Sequence, residues 1–158
     1  MAKVLKVEFP QGKIYVSKGG QGKAYIEYNK SYVNKFNNNL NKTQVYLDNK
    51  VVNELQKYVS YDSGTQAKSI RLATNVGSGI VTIGVPYARF QAEGKVMVGI
   101  NSRKAWANRG ERKVVINKDL QYQFGGIRGA HPFERMKADK RESILKQVAA
   151  YSRRINGQ

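Results

Sequence analysis

Asp62, Ser63 and Gly64, in the stretch YDSGTQAKSIR, come closest of any residues in this chain to a catalytic pattern. A turn of this composition can present a carboxylate that shares a proton with a second one, from another lobe or subunit, in aspartic-type hydrolysis. That chemistry needs the turn to follow an apolar strand, and here it follows the end of an amphipathic pattern. Ser63 as a nucleophile needs a base. The single histidine, His131, precedes Pro132 at an expected helix start with no carboxylate placed to orient it, so a loop or capping role suits it better. The eleven carboxylates, Glu93 and Asp139 among them, form no D-x-D or E-x-x-H spacing. With no cysteine either, no metal site and no cofactor are expected. GGQGK, around Gly19, Gly20 and Gly22, lacks the spacing of a phosphate-binding loop. The chain reads as non-enzymatic. The Asp62 turn then has a structural explanation. Asp62 accepts a backbone hydrogen bond from two or three residues ahead, and Gly64 supplies a conformation other residues tolerate poorly. Together they reverse the chain and launch a strand at Ser69.

The elements that would carry these residues follow from apolar spacing. A short strand is expected over 4–9, and a basic hairpin follows, with β-prone pieces at 14–16 and 24–28 around a tip carrying Lys18 and Lys23. From 31 to 59 the period changes: Val33, Phe36, Leu40, Leu47, Val51, Leu55 and Val59 mark one long amphipathic helix. Its exposed face is expected to hold Asn37, Asn38, Asn39, Asn41 and Lys42, a poor helix-forming run that predicts a kink. Alternation at 69–74 and 79–85 predicts a strand hairpin; 86–94 reads as a short turn-like or helical element, 95–100 as a third strand, and 114–126 as another strand or a hairpin. Between them, NSRKAWANRGERK shows no periodicity and reads as an exposed loop. Pro132 opens a last helix reaching about residue 154. The expected fold class is α+β. An antiparallel sheet of about four strands packs against a long N-terminal helix and a C-terminal helix, with an N-terminal β-hairpin arm. The division is an arm over 1–30 and a single domain over 31–158.

The 158 residues include 28 Lys and Arg against 11 Asp and Glu, a formal charge of +17. Such a chain is drawn to polyanions, nucleic acid foremost. The absence of cysteine is compatible with a reducing compartment. The longest apolar runs are too short to span a bilayer, so no membrane partner is expected, and MAKVLKVEF does not have the form of a signal peptide.

Three pieces in order carry a resemblance: YDSGTQAKS at the end of a long helix, VTIGVPYARFQAEG in mid-chain, and HPFERMKADKRESILKQVAAYSRR at the end. Over roughly residues 31–155 the chain resembles the minor capsid and tail-completion (neck) proteins of long-tailed bacteriophages. Two positions after the glycine, where that pattern favours a large apolar residue, this chain has Gln66. The resemblance implies a structural virion protein of the head–tail connection, assembled in the host cytoplasm. It implies a ring, six- or twelve-fold, around the DNA channel. Its partners would be a connector or stopper on one side and a tail terminator or tail tube on the other, with double-stranded DNA passing non-specifically. Asp62, Gly64, Tyr87, Ala88, Glu93, Gly94 and Phe133 carry over as turn and anchor residues, none catalytic. Candidate contacts to DNA in the lumen, or to a partner, are Lys18, Lys23, Arg103, Lys104, Trp106, Arg109, Arg112 and Lys113. The alternative is a free-standing basic nucleic-acid-binding module, for which RKAWANRGERK and YQFGGIRG place aromatics beside cations.

Overall fold

The computed structural model describes residues 5–9, 12–16, 19, 23–123 and 125–157. Its elements are β1 (Lys13–Val16), β2 (Lys23–Ile26), α1 (Lys30–Tyr58), α2 (Thr65–Ala73), α3 (Ala88–Glu93), β3 (Lys95–Gly99), β4 (Lys113–Asp119) and α4 (Pro132–Asn156).

Helix α1 starts where the Asn29 side chain accepts the Ser31 amide (2.8 Å), satisfying one of the free N–H groups of a first turn. It runs without a break through the asparagine-rich stretch. Those asparagines lower local helix propensity, but their side chains are used. Asn41 pairs with both the N–H and the C=O of Leu5 (2.9 and 3.0 Å), and Asn37 does the same for Val7 (2.7 and 3.2 Å). Four residues of helix rise about 6 Å and two residues of strand about 6.6 Å, so amides spaced i, i+4 match alternate residues of an extended segment. The residues expected as a first strand are therefore extended but bonded to a helix. Phe9 continues the docking by packing its ring against Tyr28, Tyr32 and Phe36. Asn39, expected on the exposed face, is buried and donates to Ile155 O (3.0 Å) and Asn156 Oδ1 (2.9 Å) at the end of α4.

Helix α4 opens at Pro132, carries Glu134 in its first turn and Arg153 and Arg154 in its last, and stops at a left-handed Gly157. Each feature suits its end of the helix dipole or cap. It packs antiparallel to α1: Asn39 meets its end, the Tyr46 and Tyr151 rings stack (4.3 Å, 3°), and Tyr58 donates to Asp139 (2.9 Å) near its start. Burial, and then the bond to Asp139, push the Tyr58 phenol above its ordinary pKa. The core has two parts on either side of α1. Val52, Leu55, Val59 and Ile70 pack with Ala67, Val81 and Ile83, and Tyr58, Met136 and Ile144 pack with Leu47, Val51 and Val148. Full burial of each aliphatic side chain contributes about 1.5–3 kcal/mol.

The expected four-stranded sheet does not form. Of the expected strand 69–74, residues 69–73 fall in helix α2 and Thr74 is its extended cap, because TQAKSIRLA consists largely of helix-tolerant residues and buries Gln66, Ser69 and Ile70 at helical spacing. Ile70 and Leu72, which alternation had put on one strand face, part company: Ile70 is fully buried and Leu72 is 86% exposed. Without that partner, 79–85 has no regular structure and forms no ladder. It is held by Thr74 Oγ1, which accepts from Thr82 N (3.1 Å) and donates to Thr82 O (3.4 Å). Buried Asp48 fixes the intervening turn by accepting from Gly77 N (2.7 Å) and Gly79 N (3.1 Å). The described residues hold two separate two-stranded pairings, β1 with β2 and β3 with β4, both antiparallel, the second with an irregularity between Lys95 and Met97. The architecture is a helical core around α1 rather than helices covering one sheet.

Candidate functional site

Two places gather the residues singled out from the sequence. The first is a junction at the end of α1. Gly64 takes a left-handed conformation (φ 76°) with its Cα against the Tyr61 ring, and its carbonyl accepts Lys68 N (3.0 Å) to begin α2. The Asp62 side chain is exposed and makes no capping bond to α2, so the expected Asx-type turn is replaced by the glycine geometry and a Ser63–Thr65 hydroxyl pair (2.7 Å). Ser69 does not start a strand. It lies buried in α2 and donates to Gln66 O (2.8 Å).

Tyr87 and Ala88 open α3, with Ala88 N bonded to Val85 O (3.0 Å), and Gly94 closes it in a left-handed conformation (φ 73°). Glu93 pairs with Arg89 one helical turn earlier (2.6 Å), which raises the Arg89 pKa. A side chain at Gly94 would come within 2.7 Å of Ala130 Cβ. The segment before α4 ties the pieces together. Gly129 N reaches Tyr58 O (3.4 Å), His131 N reaches Ala92 O (2.8 Å), and Arg128 Nη1 donates to Val59 O (2.8 Å) while its guanidinium lies 4.9 Å from the Tyr61 ring centre. These bonds cap carbonyls at the end of α1 with an amide and a cation, which the helix dipole favours. The DSG turn, the YARFQAEG turn and the start of α4 thus meet in one place. A polar cleft of about 260 Å³ lies between the first two, lined by Ser60, Asp62, Ser63, Thr65, Gln66, Tyr87 and Gln91. Gln66 is buried, and its Oε1 has no protein partner among the described residues. Phe133, expected as the anchor of α4, is 47% exposed; Pro132 and Met136 are buried instead. Ser63 and His131 share no hydrogen bond. Among the described residues no cluster of three or more His, Asp or Glu could hold a metal, and no helix is long and apolar enough to cross a membrane.

The second place is the loop between β3 and β4. It has no regular structure, yet its backbone is closely tied. Gly99 N bonds to Lys104 O (2.9 Å), Ile100 N to Arg112 O (3.0 Å) and Arg103 N to Gly99 O (3.0 Å), with Arg103 left-handed (φ 55°). At its centre is Glu111, which sequence reasoning passed over. Its Oε1 accepts from Asn101 N (2.8 Å) and Ser102 N (2.7 Å), and its Oε2 accepts from Asn108 N (2.7 Å). The Ser102 and Asn108 amides hold its pKa down to about 2. The stabilisation from a lowered carboxyl pKa is present above the ordinary value near 4.5 and is lost as pH falls toward 2. Gly99 is required beside this clasp, since a Cβ there would land on the Glu111 carboxylate and the Ser102 hydroxyl. A lone acid among five bases was the available signal.

Arg103, Lys104, Arg109 and Arg112 all lie exposed on this loop, and Trp106 is 87% exposed. Lys113, also exposed, donates to Ala105 O (2.7 Å) and lies 5.9 Å from the Trp106 ring centre. Lys23 opens β2, whereas Lys18 lies outside the described residues, as does most of the glycine-rich tip. The structure therefore gathers Arg103, Lys104, Trp106, Arg109, Arg112 and Lys113 on one loop, apart from the turn residues at the junction. No protein-family model, curated protein or solved structure matches the chain.

Proposed function

We propose that this chain is a structural component of the neck of a long-tailed bacteriophage, without catalytic activity, forming a closed ring around the DNA channel between head and tail. The observation that supports this reading is the junction. Three pieces far apart in sequence, which together carry the resemblance to neck proteins, lie together around the end of α1: the second and third are joined by His131 N and Ala92 O, the first and second line one cleft, and residues 128–129, just before the third, bond to Tyr58 O and Val59 O just before the first. Pieces that share one structural task are expected to occur together and in order. The charge of +17 suits a wall that faces the phosphate backbone without reading sequence. Connector or stopper proteins on the head side, and tail terminator or tail tube proteins on the tail side, are the partners this role requires.

Quantitative mass spectrometry of particles purified from the source that encodes the chain tests the proposal. A fixed copy number of about six or twelve per particle, as a closed ring requires, is the expected result. Absence from the particle sinks it.

A further inference from the structure

The β3–β4 loop is closed at its base by the pairing of the two strands, and beyond that base its shape is held from within. One carboxylate gathers three backbone amides from both halves of the loop, and Gly99 leaves room for it. What this fixed backbone displays is an indole almost wholly in water, with the Lys113 ammonium 5.9 Å from its ring centre and four more exposed cations on the same loop. None of the four is in an ion pair among the described residues. Lys113 is the fifth, exposed as well, and it braces the loop by donating to Ala105 O. A solvated ring beside cations fits unpaired bases, which stack on the ring while the flanking phosphates meet the charges. A paired duplex offers phosphates but no free base face.

We propose that residues 100–113 are a preformed contact for single-stranded nucleic acid. Trp106 stacks on a base, Arg103, Lys104, Arg109 and Arg112 hold phosphates, and Glu111 is the positioning residue that fixes the loop. This is a property of the isolated chain and holds whether or not the chain is a ring component.

The sign of one substitution separates this from plain charge attraction. If the loop were only a cationic patch, Glu111→Gln would tighten polyanion binding by removing a negative charge. As a positioning residue, Glu111 acts the other way. A glutamine amide has one acceptor oxygen where two are needed, so the loop loosens and binding weakens.

Trp106 is the only tryptophan, so its emission reports on this loop alone. The experiment titrates the full chain with oligo(dT) of about 16 nucleotides over a salt series, following Trp106 emission and the anisotropy of a labelled oligonucleotide. Oligo(dT) quenches Trp106, and a duplex of equal length does so far less. Trp106→Ala lowers oligo(dT) affinity about tenfold, the scale of one lost base stack. Glu111→Gln lowers it several-fold. Removing two cations elsewhere, with Lys140→Ala and Lys146→Ala on α4, leaves the salt slope and the quenching in place, whereas Arg109→Ala lowers the slope. No quenching by oligo(dT), equal quenching by duplex, or tighter binding by Glu111→Gln each overturns the proposal. Should Glu111→Gln fail to fold, as a thermal melt would reveal, Trp106→Ala and Arg109→Ala at exposed positions still decide it.

Discussion

Gln66 is a buried polar side chain at the edge of the polar cleft. It sits in α2, four residues before Ile70, with an acceptor that no group among the described residues meets. Leaving a buried acceptor unpaired costs about 1–3 kcal/mol, whereas an apolar group of similar shape carries no such cost. Gln66→Leu is therefore expected to raise the unfolding free energy by about 1 kcal/mol, measured by urea denaturation; a loss of stability would show that the oxygen is satisfied. Gly94 makes the opposite case. Its left-handed backbone and the nearness of Ala130 mean that Gly94→Ala carries both backbone strain and overlap. A cost of about 2–3 kcal/mol is expected in the same assay. The glycines of both turns were legible in the sequence, because few other residues reach that part of backbone space. The role of Asp62 was not: an aspartate two residues before a glycine promises a side-chain turn, and the exposed carboxylate makes none. Glu111 was illegible for a related reason, since its partners are main-chain amides, which every sequence contains.

Among the elements, the two long helices could be read because many weak apolar signals repeat along each. Short elements lacked that redundancy. Ile70 and Leu72 fit a strand as well as a helix until the rest of TQAKSIRLA is weighed, and once α2 is a helix the 79–85 segment has no strand to pair with. The asparagine run also misled, because propensity counts only its local effect. Its side chains instead form the rungs that hold an extended segment. Replacing Asn37 and Asn41 together by alanine should strengthen α1 locally, by about 0.5 kcal/mol per site on propensity alone, and yet release residues 5–9. Hydrogen exchange at the Leu5 and Val7 amides checks this. Both should lose protection while amides in the middle of α1 keep theirs, and unchanged protection at Leu5 would contradict the docking.

At the scale of the whole molecule, a modest core carries a large charge. Eight apolar residues are buried among those described, and the chain bears a net +17. Self-repulsion of that size opposes compaction, and salt screens it over about 10 Å at 0.1 M. The melting temperature should therefore rise when sodium chloride is increased from about 20 mM to 300 mM, the screening length falling accordingly. Differential scanning fluorimetry measures it, and a flat response would mean that the charges are spaced widely enough not to matter. The same molecule leans on a single spine. α2 and the 79–85 segment lie on one side of α1, α4 lies on another, the N-terminal residues run along its first half, and the 128–129 pair closes its end. Inserting one residue near Gln44 would turn everything beyond it by about 100° relative to everything before. The asparagine rungs and the Tyr58 end would then point in incompatible directions, and α4, which touches both, could satisfy only one. The chain can therefore tolerate changes of length in its loops, but between Asn37 and Tyr58 its length is set by phase, like the spacing of teeth on a gear.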